Sequence, residues 1–132
     1  MVRVIGVGDN TVDRYLHLGR MFPGGNTVNV AVFARRYGHE ASYIGWLGTD
    51  RYGRLLRDSL AEEAVDTSRC RVVDGVSSHG DVTLVDGDRV FGEFEWGVTT
   101  RIALDDDQLA FIAGHDIVHS SIYSKLEGQL DE

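Results

Sequence analysis

The sequence has a single cysteine, a single proline and no long hydrophobic run. Because Cys70 stands alone, an intrachain disulfide is excluded, and a reducing compartment, the cytoplasm, is expected. The apolar residues 4–7 are too few for the hydrophobic region of a signal peptide, and no stretch reaches the length of a transmembrane helix. No membrane partner is therefore expected.

Positive charge is also scarce. Lys and Arg number 13 against 21 Asp and Glu, so the net charge is -8. Binding to a phosphate backbone needs clustered positive charge, and a nucleic-acid partner is therefore not expected. The 132 residues, 42% of them hydrophobic and 26% charged, fit one globular domain with its own core.

Metal-binding and dinucleotide-binding patterns are missing as well. His115 and His119 are four residues apart, but they bracket a predicted strand that separates them by about 13 Å, so no metal site is expected. After Gly6 and Gly8 the third glycine of a dinucleotide loop would fall at Thr11, and the residues beyond it are predicted to be extended rather than helical. Neither chemistry is indicated.

The sequence does contain an alternation of apolar strands and amphipathic helices. Buried strands are predicted near residues 2–7, 41–47 and 116–119. Helices are predicted over 26–37, capped by Asn26 and stopped by Gly38, over 51 to about 66 after a cap at Asp50, and over 106–113.

Between the second and third helices the hydrophobic period changes to two. Residues 71–94 alternate around Asp86-Gly87-Asp88, a strong hairpin signal. Residues 15–18 continue as extended chain up to the turn at Pro23. The order of elements predicts an α/β fold, in which a parallel sheet carries an antiparallel flap.

Two glycines that open an apolar helix mark the first candidate site. Gly24 and Gly25 place bare backbone beside a small ligand, while Asn26 and Asn29 in the adjoining helix offer amides to it. A turn without a ligand, with Asn26 as a helix cap, is the alternative.

Three polar residues come after the first predicted strand, where open α/β sheets place their ligands. Asp13 is the strongest ligand-binding candidate, because one carboxylate accepts hydrogen bonds from two neighbouring hydroxyls, and an aspartate that only caps a turn is the alternative. Asp9 and Asn10 are weaker candidates, since such residues also stabilise turns.

Three runs of residues carry a resemblance to a known family. Gly8-Asp9-Asn10, Gly24-Gly25-Asn26 and the Asp-Arg-Val-Phe-Gly run at 88–92 resemble the N-terminal half of the ribokinase-like (PfkB) sugar kinases, and especially the members that act on fructoselysine. The family usually has Gly, Ala or Pro at the position of Thr27, so a narrower pocket is expected here.

The resemblance implies a fold and a set of site residues. The fold is a three-layer α/β sandwich in which residues 1–132 form the N-terminal half of one domain, truncated after about half of the usual chain, with lid segments at about 15–22 and 71–94. Asp13 matches the family's sugar-binding aspartate. Glu93 and Glu95, just past the hairpin, are candidates for the amine of a fructoselysine-like substrate, although hairpin carboxylates are usually solvated.

The resemblance also implies the chemistry, which is ATP- and Mg-dependent phosphorylation of a sugar hydroxyl. The family's catalytic base belongs to a Gly-Ala-Gly-Asp motif that this sequence does not contain, so no catalytic residue is assigned. The chain alone is expected to bind ATP poorly and to be inactive. The expected partners are a small-molecule sugar and, through the open sheet edge or the lid, a second copy in a homodimer. A non-catalytic sugar-binding or assembly module is the alternative function.

Overall fold

A computed structural model describes residues 1–124 and 126–130. The strands are β1 Arg3–Val7, β2 Thr11–Tyr15, β3 Arg20–Gly24, β4 Glu40–Ile44, β5 Trp46–Gly48, β6 Arg71–Val73, β7 His79–Val85, β8 Asp88–Glu95 and β9 Ile117–His119. The helices are α1 Asn26–Arg36, α2 Arg51–Glu62, α3 Asp106–Ala113 and α4 Glu127–Leu130, with short 3-10 helices at Gly97–Thr100 and Ile122–Ser124.

A parallel sheet in the order β4-β1-β9 forms the centre of the fold. Val4 is paired with Ala41 on one side and Ile117 on the other. Strand β1 is buried over four of its five residues, as its continuous apolar run predicts for a strand covered on both faces. Separate apolar clusters contain Ile5 and Val28. The predicted core strands at 2–7 and 116–119 are confirmed, and the one at 41–47 is confirmed over its first part.

The predicted strand 41–47 is in fact two strands that divide at Gly45. Strand β4 stays in the central sheet, whereas β5 turns away and pairs in parallel with β6. The buried Tyr43 hydroxyl donates to the Gly8 carbonyl at 2.6 Å, and its ring lies against Gly45, where any side chain would collide with it. Within residues 41–47, Gly45 is the one sequence signal of this break.

The lid is a four-stranded sheet in the order β3-β2-β7-β8. Two antiparallel hairpins, β2–β3 and β7–β8, are joined by the parallel pair β2–β7. The antiparallel flap is confirmed, but its predicted bounds are wrong. Its first segment is a hairpin over 11–24 instead of an extended chain over 15–22, and residues 71–73 belong to β6, outside the lid.

The helices begin largely where their capping residues predict. The Asp50 carboxylate accepts from the Gly53 N–H at 3.0 Å and caps α2, while Asp105 forms a capping box with Gln108 at the start of α3. Helix α2 ends at Glu62, earlier than the predicted 66, and Ala64 lies beyond it in the left-handed region with φ 59°. The predicted cap at Asn26 is wrong, because Gly25 occupies the cap position and no side chain there makes a cap bond.

Candidate functional site

A pocket of about 480 Å³ lies between the carboxyl end of β1 and the lid. Its polar wall comes from the segment after β1, from β2, from the start of α1 and from the residue before β7. Its aromatic wall comes from β8, from the residue after β8 and from the chain after β9. The described lining residues are Asp9, Asn10, Thr11, Asp13, Asn26, Ser78, Phe91, Phe94, Trp96 and Tyr123.

Asp9 holds together the segments on which the pocket stands. Its Oδ1 accepts from Ser121 Oγ at 2.7 Å and from Ser124 Oγ at 3.1 Å, and its Oδ2 accepts from the Asn26 N–H at 2.8 Å. A carboxylate at a helix N-terminus satisfies a free N–H and complements the helix dipole. Asp9 is therefore engaged by the protein itself and caps α1 from a distance, the role predicted for Asn26.

The first turn of α1 is fixed to the same segment. The Thr27 hydroxyl donates to the Asp9 carbonyl at 2.6 Å and is fully buried, so Thr27 does not line the pocket, contrary to the narrowing expected from its β-branched side chain. Gly25 has φ 103°, and a Cβ there would lie 2.8 Å from the Asn10 Cα. Only glycine lets the chain pass so close in this conformation.

Asp13 projects from β2 into the pocket beside Gly24. A Cβ at Gly24 would lie 3.0 Å from Asp13 Oδ2, so the bare backbone makes room for the carboxylate. Partial burial raises the pKa of Asp13, and the charge of Arg89 opposes that rise. Within the described part of the chain, no donor is hydrogen-bonded to this carboxylate.

Asn10 is almost fully buried at the pocket. Its amide nitrogen donates to Tyr43 Oη and to the Trp46 carbonyl, each at 2.9 Å. Because the carbonyl of Trp46 only accepts, these bonds fix the orientation of the amide. The Asn10 Oδ1 is buried and has no hydrogen-bond partner among the described residues.

Four aromatic residues of the pocket were missed by the sequence reasoning: Phe91, Phe94, Trp96 and Tyr123. The Phe94 and Trp96 ring centroids are 4.7 Å apart at 65°, and those of Trp96 and Tyr123 are 6.1 Å apart at 24°. Exposed aromatic residues late in the hairpin and after the last strand were the available signal. The strand register that brings them to one wall is not visible in the sequence.

The structure brings Asp9, Asn10, Asp13 and Asn26 to one pocket, with Gly24 and Gly25 packed beside them. It places Asn29, Glu93 and Glu95 elsewhere. Asn29 lies in a groove between α1 and α2, lined also by Phe33. Glu93 and Glu95 line a cavity with Arg14 and His79, on the opposite face of the lid from Asp13 because side chains alternate along each strand.

Two further observations concern metal-binding side chains and membrane-spanning helices. Across residues 1–124 and 126–130, no group of three metal-binding side chains comes together. No helix in that part of the chain is long and apolar enough to span a bilayer.

A parallel α/β sheet with a ligand-sized pocket at its carboxyl edge, covered by a four-stranded lid, defines a class of small-molecule-binding folds. The family model for pfkB carbohydrate kinases matches residues 1–126. The chain therefore belongs to the pfkB family of carbohydrate kinases.

Two curated relatives are similar over nearly the whole chain. Fructoselysine 6-kinase of Escherichia coli is 44% identical over 121 residues, which cover 92% of this chain and 46% of that protein. Fructosamine kinase FrlD of Bacillus subtilis is 41% identical over 135 residues, covering 99% of this chain and 48% of that protein. The chain thus spans about half the length of the curated relatives it matches.

Solved structures agree on the fold. Arabidopsis thaliana ribokinase, complexed with ribose and ATP, aligns with a TM-score of 0.81 at 21% identity over 90% of this chain and 45% of that one. Xylella fastidiosa fructokinase with bound ATP aligns with a TM-score of 0.75 at 26% identity over 89% and 38%. The ribokinase-like fold predicted from the sequence is confirmed.

Proposed function

We propose that this chain supplies the sugar-binding and lid part of an ATP-dependent kinase that phosphorylates a hydroxyl of a sugar or of a fructoselysine-like sugar–amine. The observation that carries the proposal is the Asp13 carboxylate, which faces a lidded pocket and is bonded to no described donor. A sugar diol supplies the two donors that such a carboxylate accepts.

The surrounding groups suit a sugar in the same way. Thr11 and Asn26 also line the pocket and offer polar side chains to sugar hydroxyls. Gly24 and Gly25 keep the wall beside Asp13 free of side chains.

ATP and Mg²⁺ are proposed as cofactors of the activity on the strength of family membership. The described residues offer no glycine-rich phosphate loop and no cluster of three metal ligands, so they do not fit either group and no catalytic step is assigned to them. We propose that the nucleotide and the metal are held by other residues of the enzyme, that the 132-residue chain alone binds them poorly, and that the enzyme works in the cytoplasm.

A non-catalytic sugar-binding or assembly module is the second candidate function. Strand β9 lies at one edge of the described central sheet, and Ile117 and Val118 are 49% and 45% exposed there. An unpaired edge with apolar neighbours is a template for pairing. Self-association through this edge or through the lid is therefore proposed for either function.

Binding measurements on an Asp13→Ala variant test the proposed function. One hydrogen bond to a charged group contributes about 1.5–3 kcal/mol, so the affinity for a ketose or sugar–amine should fall by about 10- to 150-fold in calorimetry. Asp58→Ala is the control, because it removes the same charge from an exposed position on α2. Equal sugar affinity of the Asp13→Ala variant and the wild type would remove Asp13 from the site.

A further inference from the structure

The side chain of Asn26 is held at the pocket by a residue from a different element of the fold. Asn26 opens α1 and lines the same pocket as Asp13. Its backbone N–H donates to Asp9 Oδ2 at 2.8 Å, and its side-chain Oδ1 is hydrogen-bonded to Nε2 of His119, the last residue of β9. Both the backbone and the side chain of Asn26 are therefore fixed by the protein before a ligand binds.

The pairing of β9 with β1 places His119 beside α1. His119 is the partner of Gly6 in this parallel pair, so the side-chain positions of the two residues lie on the same face of the sheet. At Gly6 that face is covered by the first turn of α1, because a Cβ there would lie 2.2 Å from the Thr27 carbonyl oxygen. The absence of a side chain at Gly6 thus lets α1 approach the sheet closely enough for His119 to reach Asn26.

The chemistry of the two side chains fixes the direction of this hydrogen bond. An amide oxygen only accepts, so His119 Nε2 carries the hydrogen and donates it to Asn26 Oδ1. The two N–H donors of the Asn26 amide then remain for a ligand, since no acceptor among the described residues is bonded to them. Asp13 in the same pocket is an acceptor. The two side chains together therefore match sugar hydroxyls, which both donate and accept.

We propose that His119 is a positioning residue of the sugar site, which holds the Asn26 amide with its N–H donors turned to the pocket so that Asn26 donates to a sugar hydroxyl. His119 is not one of the described residues that line the pocket, and it acts through Asn26. A side chain already held in its binding orientation loses less freedom when the ligand binds, which favours affinity. This inference rests on the proposed function and adds to it a donor and the residue that orients it.

A double-mutant cycle tests the inference by calorimetric titration with D-fructose and with N-butyl-1-amino-1-deoxyfructose, a sugar–amine. His119→Phe should weaken binding by about 2- to 12-fold, the range of one hydrogen bond between neutral groups. In an Asn26→Ala background the same replacement should have no further effect, because the residue it acts through is gone. His119→Gln should bind like the wild type, since its amide nitrogen can donate to Asn26 Oδ1. The matched control is His17→Phe, at an exposed position between β2 and β3, which should leave the affinity unchanged.

Nuclear magnetic resonance of the ligand-free wild-type chain gives a second test, which needs neither a variant nor a bound sugar. Long-range nitrogen–proton correlation spectra of the His119 ring should show a hydrogen on Nε2. A ring protonated on Nδ1 alone would overturn the inference, because Nε2 could then only accept, and the Asn26 amide would turn its oxygen to the pocket.

The binding measurements separate this inference from the proposed function. Additive losses from His119→Phe and Asn26→Ala would show that His119 does not act through Asn26, and the inference would fail. If Asp13→Ala weakens sugar binding while His119→Phe does not, the inference fails and the proposed function stands. If the wild-type chain binds neither sugar, both are refuted.

Discussion

Replacing Asp9 by Asn tests whether this residue is a structural cap or a sugar ligand. The amide retains one acceptor oxygen for the Asn26 N–H and turns the second into a donor, so the Ser121 and Ser124 hydroxyls must reorient to accept, and all three bonds lose their charge. A charge-assisted hydrogen bond contributes about 1.5–3 kcal/mol, and the attraction to the start of α1 about 0.3–1 kcal/mol. We therefore expect Asp9→Asn to lower the free energy of unfolding by about 2–4 kcal/mol.

Urea denaturation followed by circular dichroism measures this loss. With a slope of about 2 kcal/mol per molar, the unfolding midpoint should fall by about 1–2 M. Asp58→Asn, on an exposed face of α2, should stay within about 0.5 kcal/mol of the wild type. The losses from Ser121→Ala and Asp9→Asn should be less than additive in the double variant, because both changes weaken the bond between residue 9 and Ser121. Wild-type stability of Asp9→Asn, or additive losses in the double variant, would refute the capping role.

Three further outcomes are expected. Gly25→Ala should lower the free energy of unfolding by more than about 2 kcal/mol, because backbone strain at φ 103° adds to a collision with Asn10. Gly19→Ala, at φ 62° with open space around it, should lower it by only about 1 kcal/mol. Equal losses in thermal unfolding would contradict this. The folded-state pKa of Asp13 is raised, so the folded chain binds this proton more tightly than the unfolded chain, and stability falls as pH rises through that range. Asp13→Asn should therefore stabilise the ligand-free protein at pH 7 but not at pH 3, and a variant that is less stable at pH 7 would count against it. Ile117→Lys should reduce self-association, measured by light scattering, because a charge at the open sheet edge opposes pairing. A wild-type chain that is monomeric at tens of micromolar protein would show that this edge does not pair.

The fold could be predicted where local sequence decides the structure. Strand β1 is predictable from its apolar run, α2 from the cap at Asp50, and the β7–β8 hairpin from its Asp-Gly turn. The assignment of 71–73 to the flap failed because β-branched residues suit any strand. Their pairing with β5 depends on the break at Gly45, a tertiary feature.

The candidate site was predictable to the extent that its residues are neighbours in sequence. Asp13, Gly24 and Gly25 belong to adjacent strands and one turn, so their proximity is a consequence of local motifs. The engagement of Asp9 by the protein itself could not be predicted, because its serine partners lie more than 100 residues away. The face of the lid on which Glu95 lies could not be predicted either. The pairing of β7 with β8 is irregular between Gly80 and Val82, so the alternation of side chains does not continue regularly across it.

The distant partners of Asp9 have a consequence for how the pocket forms. The lid hairpins and the β1–β4 pair use residues of the first 95 positions, whereas the base of the pocket needs Ser124 to bond residue 9 across a sequence separation of 115. Contacts of such long separation pay the largest loop-closure entropy and form late. On an elongating chain, the lid strands can therefore pair before the base of the pocket closes, and Asp9 lacks its serine partners until the residues after β9 have docked.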